Sequence, residues 1–455
     1  MMNTQSLEKK NGIADMLDRL LSRPVFYALF TLIAIRANDL KKAERAVFGL
    51  SEYDARQVFP FLRVPLWILC AGVLCMYACR WINGRISRKQ PMLWCFLGMH
   101  GALAAVTLAF HGASGYWLHW MCGLCLMLII DMGLQRERES LLEGMAWAFL
   151  IWLALNVPAR LLWPGGLNYR QSVLVWYIEP VENAEAAFVP EWLLGNRVFY
   201  YRLAFPGLCL EMIRTQVKHG RYTLRTGIVF ALTLFAVVTQ RGGTALMGFA
   251  LLMGMLVWCN RRALPRYATP AVMLGASALL FIGMHFLHIQ ENLGFLIRDR
   301  LGKDTDLTYR THIWEETLKI IKNYPLTGVG LLPVEYVRQL FGSTFAQPLN
   351  HTHNQLLELM MHGGVLALLP YLGMVWIATR EALRYRRCAA VKTAAILLMT
   401  FLFMGTVDIF HNDPIYYPMF MLLARADRLD EGAKKLPRIS LLQRINRDAG
   451  KLRRK

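Results

Sequence analysis

The sequence predicts an all-α, polytopic integral membrane protein with about twelve transmembrane helices and a large helical loop before the tenth. Three observations lead there. Of 455 residues, 55% are hydrophobic and only 18% are charged. The apolar residues fall in repeated runs of about twenty, the length an α-helix needs to cross about 30 Å of hydrocarbon. The basic residues behind the net charge of +20 sit in short clusters between those runs. That is the pattern of topogenic charge, and it argues against a nucleic-acid partner, which would need a continuous basic groove.

Taken in order, the polar segment Met1 to Lys10 has no cleavable signal pattern. Spans follow at 20–36, 62–82, 91–110, 113–134, 141–163 and 197–215. The stretch from Thr226 to Cys259 is apolar except at Thr239-Gln240-Arg241-Gly242-Gly243. As one straight helix it would run roughly 50 Å, far more than the hydrocarbon thickness, so it must fold back. The two glycines allow a tight turn, giving spans at 224–240 and 242–260 with Arg241 at the tip. A ninth span at 267–289 precedes the loop 290–354, and spans at 355–379, 389–410 and 413–427 complete the set.

An even number of spans puts both termini on one side. The hinges assigned inside hold Arg80, Arg85, Arg88 and Lys89, then Arg136 and Arg138, then Arg214, Lys218, Arg221 and Arg225. Arg261, Arg262 and Arg266, and the cluster from Arg380 to Lys392, continue the pattern. The short outside hinges 111–115, 240–242 and 411–413 hold only Arg241. The positive-inside rule therefore makes both termini cytoplasmic. Residues 1–427 form a single transmembrane domain that includes the outer loop 290–354, and 428–455 form a basic cytoplasmic tail. Residues 37–61 dissent, because they should lie outside yet carry Lys41, Lys42, Arg45 and Arg56. Either the first run is no simple span or this segment is a surface helix, and the sequence leaves the two open. Nine cysteines are present, and Cys122-Gly-Leu-Cys125 lies inside an apolar helix with no second ligand pair. Packing, not zinc or a disulfide, is expected of it. Asp131, near the inner end of its span, reads as interfacial.

A loop as long as 290–354 with helical periodicity of its own is expected to be functional. Thr308 to Ile321 reads as an amphipathic helix with Ile313, Trp314, Leu318 and Ile321 on one face. A second short helix is expected at about Val334 to Phe341. Arg310 falls in the first helical turn, where the helix dipole disfavours a cation, and a bound anion would resolve that conflict. Asn350-His351-Thr352-His353-Asn354 stands directly before the helix starting near Gln355. The unpaired N–H groups of a helix start favour negative charge and keep a nearby imidazole neutral, able to accept a proton. Two arginines and a neutral histidine are the parts for holding a diphosphate while a hydroxyl is activated.

Plainer roles stand beside these. His353 could cap the helix with Asn354, and Arg241 could snorkel to lipid headgroups. His351 and His353 lack the nearby Cys, Asp or Glu that a metal site needs, so neither metal nor cofactor is expected. Trp314 suits loop-core packing better than substrate stacking, and His362 suits a polar packing contact. Asp408, at the outer end of the eleventh span, could orient His353, pair with Arg241 or Arg310, or face water.

Between Arg241 and Phe410 the blocks Arg241-Gly242-Gly243, Arg310-Thr311-His312-Ile313-Trp314, Pro325-Leu326-Thr327-Gly328-Val329-Gly330 and His351-Thr352-His353-Asn354, followed after nine residues by Gly364, occur in order. This order and spacing resembles the O-antigen ligase and polymerase family of bacterial envelope glycosyltransferases. The resemblance implies an inner-membrane enzyme with a periplasmic active site, whose donor is a glycan on a polyprenyl diphosphate and whose acceptor is lipid A-core or another glycan. It implies diphosphate binding by Arg241 and Arg310, proton abstraction by His353 and a catalytic part for Asp408. His351, Asn354 and Trp314 would support them, and membrane lipids would surround the site. Where the ligase pattern has a second glycine three or four residues after Gly364, this chain has Ala367 and Leu368. The ligase reading leads. A polymerase on the same carrier, a protein O-oligosaccharyltransferase and a non-enzymatic transporter are the alternatives, and a transporter would be expected to carry broken helices at mid-depth.

Overall fold

The computed structural model describes residues 19–35, 64–87, 90–111, 117–166, 168–171, 188–196, 200–240, 242–292, 310–331 and 351–430. In chain order the helices are α1 (Pro24–Ala34), α2 (Val64–Ile82), α3 (Pro91–His111), α4 (Trp117–Arg136) and α5 (Arg138–Leu162). Strands β1 (Asn168–Gln171), β2 (Phe188–Trp192) and β3 (Gly195–Asn196) follow. Then come α6 (Tyr201–His219), α7 (Leu224–Gln240), α8 (Gly243–Cys259), α9 (Pro270–Phe286), α10 (Ile289–Asn292) and α11 (Arg310–Asn323). The chain closes with α12 (Gln355–Arg384), α13 (Ala389–Met404), α14 (Tyr416–Ala424) and α15 (Ala426–Leu429). Each expected span meets a helix, and the apolar stretch after Thr226 does fold back between Gln240 and Gly243. α2, α3, α5 and α12 are long and apolar enough to cross a membrane, and α1, α7, α8, α9 and α13 are shorter apolar helices. This is a polytopic helical membrane protein.

The structure differs from the expectation in three places. First, α1 and α14 have 11 and 9 residues, too short to span alone. In α14 every residue from Tyr416 to Leu423 is buried, so its apolar character serves packing inside the bundle. Second, part of the 164–196 loop forms a small antiparallel sheet, with Asn168 opposite Glu191 and Trp192 opposite Gly195. The Trp192 indole N–H donates to the Trp163 carbonyl at 2.7 Å, tying the sheet to the end of α5. Third, Asp131, near the end of α4, faces the protein interior. It is fully buried, paired with Arg425, and accepts hydrogen bonds from Tyr77, Gln90 and Gln135 at 3.0 Å each. A carboxylate cannot sit in an apolar interior without such partners, and Arg425 comes from 294 residues away. The loop 37–61 and the short helix expected at 334–341 lie outside the described residues.

Packing fixes the two ends of the bundle. α13 is buried on nearly all sides and packs against α6, α8 and α9. At one end Glu143 bonds Arg214 and Arg225, and Lys392 donates to the carbonyls of Cys259, Asn260 and Arg262. The opposite end gathers the end of α3, the start of α6, the end of α13 and the start of α12. The α7–α8 turn belongs to that second end, because Gly248 in α8 packs closely against Met404 and Phe205.

α12 is broken ten residues in. Gly364 has φ 55° and ψ −155°, a conformation open in practice only to glycine. The break frees two carbonyls and two N–H groups of the helix, and the segment after α11 satisfies all four. Val329 N–H donates to the Met361 carbonyl at 2.8 Å and Gly330 N–H to the His362 carbonyl at 2.9 Å. In return, Val365 and Leu366 N–H donate to the carbonyls of Pro325 and Leu326 at 3.0 and 3.1 Å. Unlike the broken helices expected of a transport path, this break is filled by the chain's own backbone. Leu331 N–H and the Val329 carbonyl bond Thr107 and His111 of α3, so three elements meet there.

Candidate active site

The start of α12 is stitched to the connection between α13 and α14. Asn354 caps α12, its Oδ1 accepting from Leu356 and Leu357 N–H at 3.0 and 3.1 Å, while its Nδ2 donates to the Thr406 carbonyl at 3.1 Å. Gln355 Oε1 accepts from the N–H groups of Phe410 and His411 at 2.6 and 3.1 Å. The cap thus belongs to Asn354, which leaves His353 for other work. Asn354→Ala should cost about 1–2 kcal/mol of stability through the lost cap, read as a lower unfolding midpoint in detergent. An unchanged midpoint would contradict the cap's contribution.

His353 itself is held in the left-handed region at φ 55°, uncommon for any residue but glycine. Its N–H faces His351 Nδ1 at 3.3 Å, and the two rings lie 3.9 Å apart, edge to face. Both are half-buried. Burial, then the neighbouring His351 and Arg310 charges, hold the His353 imidazole well below its ordinary range, with Asp408 and Glu358 opposing. His351 is lowered too, chiefly by burial. His353 is therefore a neutral base at pH 7.

α11 comes in beside this turn. Its buried face is Ile313, Trp314, Thr317 and Ile320, with Leu318 and Ile321 partly buried against Trp314 and Leu357. Trp314 is fully buried and its indole N–H donates to the Thr352 carbonyl at 2.9 Å, so it packs and also braces the histidine turn. Arg310, the first residue of α11, is half-buried. Burial lowers its pKa, and Asp408 and Tyr201 counter this. A guanidinium stays a cation even so.

Asp408 is buried and fully engaged. It accepts from the Tyr201 hydroxyl, from Arg202 Nη2 at 2.8 Å and from Ile409 N–H at 2.8 Å. Among the described residues its ion pair is with Arg202, at the start of α6, and the expected pairing with Arg241 lies outside those residues. Burial pushes its pKa up, but Arg202, Tyr201 and then the two histidines hold it down to about 2. Its charge is felt at Arg310, His351 and His353 alike.

The structure thus brings His351, His353, Asn354, Trp314, Arg310 and Asp408 to one end of the bundle. Arg241 lies outside the described residues, but its neighbours Gln240 and Gly242 belong to the turn at that same end. Tyr201 and Arg202 were missed from sequence. The available signal was an arginine in the first turn of an apolar helix, the anomaly that singled out Arg310. Among the described residues, no three His, Cys, Asp or Glu side chains form a metal-holding group.

No curated protein matches the chain. A family model described as O-Antigen ligase matches residues 227–372, from α7 to the middle of α12, and so spans both Arg310 and the histidine turn. Through that region this polytopic helical membrane protein is similar to the O-antigen ligase family.

Proposed function

We propose that the chain is a ligase of the bacterial inner membrane that moves a glycan from a polyprenyl diphosphate to lipid A-core at the periplasmic face. One observation carries the reading: a strained, neutral His353 shares one end of the bundle with the cationic Arg310 and the buried Asp408. His353 takes the proton of an acceptor hydroxyl, and that oxygen forms a bond to the anomeric carbon of the donor sugar. The carbon–oxygen bond to the diphosphate breaks, and polyprenyl diphosphate leaves as an anion, its charge held by Arg310 and Arg241. Asp408, anchored by Tyr201 and Arg202, balances the cations around His353 and Arg310. No metal takes part in this scheme.

The test is reconstitution of the purified protein with a polyprenyl-diphosphate-linked glycan and lipid A-core. Release of polyprenyl diphosphate with glycan on the core is expected, and no release would overturn the reading. A deletion strain separates the branches: ligase loss leaves long polymer on the carrier, and polymerase loss leaves a single repeat on the core.

The pH profile follows from the electrostatics. An imidazole pushed well below 6.5 stays a base at lower pH than an ordinary histidine. Protonation removes the base, so kcat/KM should stay level as pH falls through 6.5 and decline only further into acid. An acid limb centred at 6.5 or above would contradict this.

A further inference from the structure

Behind the histidine turn lies a buried pair that the transfer scheme does not use. Glu358 and His362 face each other one turn apart on α12, 2% and 5% exposed, with Nε2 to Oε1 at 3.2 Å. His362 Nδ1 lies 2.6 Å from the Gly330 carbonyl. A carbonyl has no proton to give, so Nδ1 carries the N–H and donates it. With Nδ1 so occupied, a neutral ring would turn a bare Nε2 lone pair toward a carboxylate oxygen, acceptor against acceptor. The pair therefore holds one more proton between ring and carboxyl group than a neutral imidazole and a carboxylate would. His351, His353 and His411 are further ionisable groups near Glu358.

The second Glu358 oxygen reaches the catalytic turn. Oε2 accepts from Thr352 N–H at 2.7 Å, while the Thr352 carbonyl accepts from Trp314 at 2.9 Å. Thr352 Oγ1 donates to the Asn354 carbonyl at 2.9 Å, closing the turn across His353. The residue preceding His353 is thus gripped at its N–H, its carbonyl and its hydroxyl. That grip holds His353 at a positive φ which a free chain would seldom adopt. The far anchor, Gly330, belongs to the segment that fills the α12 break, and the same stretch of chain bears Arg310.

We propose that Glu358 and His362 are positioning residues for the transfer reaction. His362, fixed on the Gly330 carbonyl, sets the Glu358 carboxylate, which pins Thr352 and thereby the orientation of the His353 imidazole. This inference rests on His353 acting as the base. Neither residue touches substrate in this scheme, so the donor KM should not depend on them.

Two conservative variants separate reach from charge. Glu358→Asp keeps the charge but shortens the side chain, so Thr352 N–H loses its acceptor. Glu358→Gln gives up the charge but keeps an oxygen at the same reach. In the reconstituted assay with polyprenyl-diphosphate-linked glycan, E358D should lower kcat about 10- to 100-fold with donor KM within about threefold, as expected when a base is misplaced. E358Q should stay within about fivefold of the parent by the same reasoning, because the N–H keeps its acceptor. His362→Ala, which frees the carboxylate to move, should lower kcat with donor KM likewise unchanged. Parental kcat in E358D, a greater loss in E358Q than in E358D, or a loss confined to donor KM would each overturn the proposal. His353→Ala in the same assay keeps the two ideas apart. If it is active, the base assignment falls; if it is inactive while E358D is fully active, only the positioning role falls.

Discussion

His353→Ala is expected to lower glycan transfer by about 10²- to 10⁴-fold while the protein still inserts and folds, the usual contribution of a positioned general base. Among the described residues the side chain makes no hydrogen bond, and the His351 Nδ1 contact is made by the backbone N–H of His353, which the substitution keeps. The α12 cap is Asn354's and the bracing bond is Trp314's, so truncation at 353 removes the imidazole and leaves the frame standing. Histidine already bears the strain of the positive φ, which alanine keeps, and His353→Asn, a residue more tolerant of that region, controls for any difference. Both variants should show the same loss in the reconstituted assay. Parental activity in either would remove His353 from the mechanism.

Gly364→Ala should have the largest effect on the fold. An added Cβ would meet the Leu326 carbonyl carbon and oxygen at 2.3 Å and Thr327 N at 2.6 Å. Those are backbone atoms bound to the broken helix, so no side-chain rotation can relieve the clash. The required φ of 55° with ψ −155° adds strain of its own. Together these should destabilise the protein by at least about 3 kcal/mol. The expected result is a large fall in membrane-inserted, monodisperse protein. Gly101→Ala on α3, where a Cβ would meet nothing within 4 Å, is the control and should insert normally. Equal yields of the two variants would refute this account of the α12 break.

Much of this was legible from residue order because membrane helices announce themselves by run length. The hairpin at Arg241 followed from arithmetic on one apolar stretch, and the bracing helix from the spacing of Ile313 and Trp314. Its true buried face slips by one residue, taking Thr317 and Ile320 ahead of Leu318 and Ile321. What a single sequence hides is which distant groups meet. Asp131 and Arg425 are 294 residues apart, and Asp408 and Tyr201 are 207 apart, so neither partnership leaves a local trace. The glycines of 328–330 and 363–364 were visible, but their shared purpose, a loop healing a cut helix, arises only when both are folded. Gly363 also bears on the missing second glycine of the ligase pattern. A Cβ there would come 2.3 Å from that of Ala367, so one site of the pair must stay bare.

The graft between residues 325–330 and α12 has a consequence for how a bulky lipid-borne sugar gains entry. Swinging the stretch that carries Arg310 and Trp314 away from the bundle would break four main-chain hydrogen bonds, and the two at buried Val329 and Gly330 would leave groups unsatisfied at about 1–3 kcal/mol apiece. Gating by that stretch is thereby disfavoured, and the stretch should behave as one rigid piece with the helix behind it. Cross-linking Val329 to Met361 through introduced cysteines should therefore leave turnover intact.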